Sequence, residues 1–78
     1  MTENHLGRSV ELSERERQTL KLITQGLSNK EIAAKLDISE PYVKAILQQL
    51  FNKTGVRSRS QLVRVALENP TLYGIARG

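Results

Sequence analysis

The 78-residue chain contains no cysteine and no tryptophan, one histidine, one phenylalanine and two prolines. Without cysteine there is no disulfide and no thiolate metal ligand. His5 stands in a polar leader with no second histidine to pair with, so it reads as a solvated residue, and no metal site or cofactor is expected. No apolar run approaches the length of a membrane span or of a signal-peptide core, and a soluble, cytoplasmic protein is expected. Strand-like alternation, internal repeats and low-complexity segments are also missing. No candidate base stands beside a nucleophile and no glycine-rich loop is built for phosphate, so an enzyme is not expected. The length suits one small domain. Its core can contribute only modest net stability, so caps and turns carry weight.

Acidic residues are scarce in one half only. Residues 1–40 hold six basic and seven acidic side chains, whereas residues 41–78 hold six basic ones and Glu68 alone on the acidic side, within an overall net charge of +4. A basic half on a small domain points to a polyanionic partner, although solubility alone would also account for it.

Four helix starts share one design. Ser13-Glu14-Arg15-Glu16, Ser28-Asn29-Lys30-Glu31 and Ser58-Arg59-Ser60-Gln61 each fit the capping box. In that motif the serine oxygen accepts from the third helical N–H and the Glu or Gln side chain answers the serine N–H. The fourth start is Ser39-Glu40-Pro41. Proline suits a first turn, because its missing N–H would have had no partner there, and either Ser39 or Glu40 can cap. Gly26 and Gly55 mark stops, and Asn69-Pro70 ends the last helix. These signals predict an all-α domain with helices at 14–25, 29–36, 40–54 and 59–68. Residues 1–10 form a flexible leader, 11–69 the domain and 70–78 a loosely held tail.

The apolar stripes give the packing. Leu20 and Ile23 serve the first helix, with Leu12 and Leu27 flanking; Ile32, Ala33 and Leu36 serve the second. Val43, Ile46, Leu47, Leu50 and Phe51 recur at helical spacing in the third. Leu62, Val63, Val65, Ala66 and Leu67 spread over more of the fourth helix than one buried face needs. The second and third helices are joined by only Asp37 to Ser39, and so short a join makes them cross steeply, as in a helix-turn-helix. Asp37 stands where glycine is common in such turns, and aspartate tolerates the left-handed conformation better than most residues.

Within "SNKEIAAKLDISEPYVKAILQQL", burial of the third helix's stripe leaves Lys44, Ala45, Gln48, Gln49 and Asn52 outward. This row holds one cation and no acid. Glutamine and asparagine can pair with adenine edges, lysine can reach guanine and alanine can touch the thymine methyl, whereas a carboxylate would be repelled by groove phosphates.

The string "LSERERQTLKLITQGLSNKEIAAKLDISEPYVKAILQQLFNKTGVRSRSQLVRVAL", Leu12 to Leu67, resembles the LuxR-type DNA-binding domain, also found in FixJ- and NarL-like response regulators and in the spore regulator GerE. The pieces that carry the likeness are "LSERE" at 12–16, "GLSNKEIAAKL" at 26–36, "IS" at 38–39, "VK" at 43–44, "KTGV" at 53–56 and "SR" at 58–59. The resemblance implies a tetra-helical domain of the winged-helix-like kind without a wing. Its second and third helices would form the helix-turn-helix, and its fourth would mediate dimerisation. It implies that Lys44, Ala45, Gln48 and Gln49 read bases of double-stranded DNA. Ser28, Asn29, Lys30 and Tyr42 would hold phosphates, and Arg57 and Arg59 are the candidates for the basic contacts after the recognition helix. Pro41-Tyr42 departs from the family's usual Gly-Thr, Ile46 from a frequent histidine, Thr54 from a frequent leucine, and Gln48 and Gln49 from positions often basic. The operator is therefore not transferable from a relative.

A single recognition helix reads few base pairs, so a homodimer on DNA is expected, with Val65 and Leu67 on the outer part of the fourth helix as the dimer contact. RNA polymerase is a further candidate partner, and a membrane is not. Two rival readings remain at this point: an interaction module that kept the fold without binding DNA, and a promoter-recognition piece resembling sigma-factor region four.

Overall fold

The structure is a computed structural model and describes residues 11–76. The expected leader 1–10, with His5, and the last two residues lie outside the described residues. Four helices follow in order: α1 (Glu14–Thr24), α2 (Asn29–Leu36), α3 (Glu40–Thr54) and α4 (Arg59–Glu68). Among the described residues there is no strand, and no helix is long and apolar enough to cross a membrane.

The helix starts are built as the serines predict. Ser13 and Ser28 cap α1 and α2 with both halves of the capping box closed. Each Oγ accepts from the third helical N–H at 3.1 Å, and Glu16 or Glu31 accepts from the serine N–H at 2.8 Å. Ser39, not Glu40, caps α3, its Oγ accepting from the Tyr42 N–H at 3.2 Å. Ser58 caps α4, but here the box is half made. Gln61 N–H donates to Ser58 Oγ, while the Gln61 carbonyl oxygen accepts from the Arg57 N–H at 2.9 Å instead of from Ser58. The Gln61 amide oxygen thus orders the residue before the cap and not the cap itself.

The core follows the third helix. Val43, Ile46, Leu47 and Leu50 of α3 are buried against Leu20, Leu22 and Ile23 of α1 and Ile32 and Ala33 of α2. α3 packs on both α1 and α2, and α4 lies mainly on α1. Each fully buried Leu, Ile or Val contributes roughly 1.5–3 kcal/mol, so this stripe is a large part of what a domain this small can draw on. On α4 only Leu62 and Ala66 are buried; Val63 and Val65 are half-buried and Leu67 is 60% exposed. The wide apolar arc read from the sequence is therefore a narrow buried stripe with apolar margins.

The tail does not hang loosely from residue 70, as expected, but folds back as far as Ala76. Tyr73 and Ile75 are buried in the core, and the N–H groups of Tyr73, Gly74 and Ile75 donate to the carbonyls of Asn69, Thr71 and Pro70. Two apolar side chains in a short irregular segment make no extended helical or strand pattern, so no period in the sequence announces their burial. Thr19 is fully buried with its hydroxyl unpartnered among the described residues, a local cost of about 1–3 kcal/mol.

Lys53, near the end of α3, reaches back to the start of α1. Its Nζ donates to Glu16 Oε1 at 2.8 Å and to the Glu11 carbonyl at 2.9 Å. Burial alone would raise the Glu16 carboxyl, but the Lys53 ammonium and the Ser13 N–H outweigh it, and the group titrates below the ordinary glutamate value. A carboxylate whose pKa falls on folding stabilises the fold above its unfolded pKa, and that contribution is lost as pH falls through the folded pKa. Glu16→Gln is therefore expected to lower the urea-unfolding free energy by about 1–2 kcal/mol at neutral pH. The gap between variant and parent should close as the pH is lowered through the Glu16 carboxyl's own depressed pKa, below the ordinary glutamate range. A gap that persists in acid would assign the loss to packing and not to charge.

Candidate nucleic-acid interface

The join between α2 and α3 decides how the third helix is presented. α2 ends at Asp37, whose φ of 58° and ψ of 48° make it the one left-handed residue other than glycine among those described. Two bonds close the turn: Ile38 N–H donates to the Ala33 carbonyl at 2.9 Å and Asp37 N–H to the Ala34 carbonyl at 3.4 Å. This six-to-one and five-to-two pairing is the Schellman arrangement. It turns the chain within Asp37 to Ser39, and Ile38 packs against the core while it does so. Proline in the first turn of α3 gives up an N–H that the helix does not need.

With the stripe of α3 buried, Lys44, Ala45, Gln48, Gln49 and Asn52 are all exposed. The structure brings these five onto one face, as the spacing predicted. Gln48 Nε2 donates weakly to Asn52 Oδ1 at 3.4 Å, one turn further on, so both amides keep unused donors and acceptors. No carboxylate lies on this face. Tyr42, at the leading end, is 48% exposed. Beyond the trailing end, Arg57 is exposed and shares a shallow groove with Gln48, Asn52 and Val56.

The other anchoring candidates are placed less uniformly. Ser28 is exposed, with its oxygen and N–H both used in the capping box. Lys30 is exposed. Asn29 and Arg59 are half-buried and bonded to each other: Arg59 Nη1 donates to Asn29 Oδ1 at 2.7 Å, and Nη2 donates to the Leu27 carbonyl. Lys30, Lys44 and Arg57 enter none of the ion pairs among the described residues, whereas Arg17, Lys53 and Arg64 are paired with Glu14, Glu16 and Glu68. The Lys53–Glu16 and Arg59–Asn29 links went unread in the sequence, because each joins residues 30 or more positions apart and no local spacing announces such a pair. Val65 and Leu67 are not brought together. Residues two positions apart in an α-helix lie some 200° apart around its axis. Val65 borders a groove with Val56, Arg57, Arg64 and Glu68, and Leu67 borders another with Thr24, Pro70 and Ile75.

The profile of the bacterial regulatory proteins of the luxR family matches residues 10–66 of the chain. The chain belongs to the luxR family. Its α2 and α3 are that family's helix-turn-helix, and the four helices form the DNA-binding domain of a transcriptional regulator. Response regulator Rre1 of Synechocystis sp. is 47% identical over 60 residues, covering 77% of this chain and 26% of that protein. The probable transcriptional regulator ycf29 of Cyanophora paradoxa is 45% identical over 60 residues, covering 77% of this chain and 29% of that protein. The nitrate/nitrite response regulator protein NarP of Escherichia coli is 52% identical over 48 residues, covering 62% of this chain and 22% of that protein. The chain thus spans about a quarter of the length of these curated relatives. No solved structure gives a significant match.

The left-handed turn has a direct test. Asp37→Gly is expected to leave thermal stability unchanged or slightly raised, whereas Asp37→Val is expected to cost about 1–2 kcal/mol. Equal losses from both would move the role of Asp37 from its backbone to its carboxylate.

Proposed function

We propose that this domain recognises a specific double-stranded DNA sequence with α3 in the major groove, in the bacterial cytoplasm, as the output end of a regulator. One observation carries the reading. The outward face of α3 presents Lys44, Ala45, Gln48 and Gln49 with no acid among them, on a helix whose opposite face is locked into the core. Amide and ammonium groups held on a rigid helix match base edges in the major groove. Ser28, Asn29, Lys30 and Tyr42 flank the groove-facing end and anchor phosphates, and Arg57 does so beyond the trailing end. A domain of this size covers few base pairs, so two copies on a repeated half-site supply the specificity. RNA polymerase would be met from that bound state.

The dimer contact is proposed on the Val65 edge of α4. A twofold contact must be self-complementary. On this edge Arg64 and Glu68 stand one turn apart with opposite charges, so antiparallel α4 helices would set each Arg64 opposite a Glu68 around Val65. Val65→Glu is expected to abolish cooperative binding to a two-half-site DNA and Leu67→Glu to spare it. The reverse result assigns the other edge, and no effect from either removes α4 from the dimer.

Selection of bound sequences from a random DNA pool, followed by salt titration, tests the reading as a whole. Binding constants should fall with salt with a logarithmic slope of about −0.9 per phosphate neutralised. An interaction module without DNA binding would enrich no sequence and show no such slope. On the selected site, Gln48→Ala is expected to relax preference at one base position, at about 1–3 kcal/mol. Arg57→Ala is expected to weaken all sequences alike and to flatten the slope by about one unit. A sequence-blind loss for Gln48→Ala would remove it from base reading.

A further inference from the structure

Arg59 is the first residue of α4, and its guanidinium crosses to the start of α2. One nitrogen donates to the Asn29 side chain at 2.7 Å and the other to the Leu27 carbonyl. Those two acceptors bracket Ser28, the cap of α2, so the guanidinium grips the amino end of α2 on both sides of its cap. The backbones of α2 and α4 do not come close, and the side chain of Arg59 supplies the hydrogen bonds that join their amino ends among the described residues. It is half-buried, and two of its five donors are already committed within the domain.

We infer that Arg59 is a positioning residue and not a phosphate ligand: it fixes the amino end of α2 to the amino end of α4. This rests on the DNA-binding reading above, in which Ser28, Asn29 and Lys30 anchor phosphate. The Arg59 side chain reaches from α4 to that anchor. A planar fork meets two acceptors at once, whereas a lysine ammonium carries the same charge but cannot reproduce the fork. The Lys30 ammonium, exposed beside the gripped turn, is left as the charge that faces DNA. In this arrangement α4, the proposed dimer helix, sets the angle at which α2 meets the backbone.

The test compares the 78-residue chain with its Arg59→Lys, Arg59→Ala, Asn29→Ala and Asn29→Ala/Arg59→Lys variants. Each binds a DNA site selected by the parent, across a range of salt, at a temperature where unfolding curves show it folded. Arg59→Lys is expected to lose about tenfold in affinity with the salt slope unchanged. In the Asn29→Ala background the same change is expected to cost less than about threefold, because its main partner is already gone. Parent-like binding by Arg59→Lys would overturn the inference. So would a slope lowered by about 0.9 in Arg59→Ala and kept in Arg59→Lys, the mark of a direct phosphate contact. Variants that melt earlier but bind as tightly when folded would make Arg59 merely structural and also overturn it. If Arg59→Ala is unfolded, Arg59→Lys and the double variant decide. Absence of salt-dependent binding by the parent would overturn the DNA reading itself, and this inference with it.

Discussion

Val43, Ile46, Leu47 and Leu50 leave water against α1 and α2, and their burial sets the rotation of α3 about its own axis. Once these four positions face inward, helical geometry leaves no freedom over which residues face out. The buried stripe and the exposed row are two views of one constraint. The left-handed Asp37 supplies its other half: it ends α2 within a residue and starts α3 without slack. On the proposed reading α3 meets base edges, which requires it to be held to a fraction of a side chain's length, and both its rotation and its entry are fixed by burial and backbone geometry.

Charge is divided between two tasks. Lys53 ties the end of α3 to the start of α1 through Glu16 and the Glu11 carbonyl, and Arg59 ties α4 to the start of α2. Lys30, Lys44 and Arg57 are kept out of such pairs and are exposed. A basic half-chain therefore does not translate one for one into cations offered to DNA. Some of the positive charge is spent inside the domain, where partial burial makes each bond stronger than it would be in water. The chain spans about a quarter of the length of its curated relatives, and on the proposed reading the exposed cations of this domain are the ones that meet nucleic acid.

Much of the architecture was legible because it is local. A serine three residues before a glutamate, a glycine after an apolar run and a proline in a first turn act within one helical turn, so the bounds of α2, α3 and α4 coincide with their signals and α1 ends one residue early. The exposure of Lys44, Ala45, Gln48 and Gln49 was legible for the same reason. Where two arrangements satisfy the same local chemistry, the sequence was less decisive. Gln61 was expected to answer Ser58 and answers Arg57 instead, and of the two caps left open for α3, Ser39 and Glu40, Ser39 takes the role.

What the sequence by itself determined is the set of helices and the inward and outward faces of α3, since both follow from period and caps within a few residues. Only the tertiary structure decided that Tyr73 and Ile75 close the core, that Val65 and Leu67 belong to different grooves, and that Arg59 and Asn29 hold each other. These depend on which helices become neighbours. That is settled by how the buried stripes pack against one another across the whole chain, a long-range fit that no local spacing encodes.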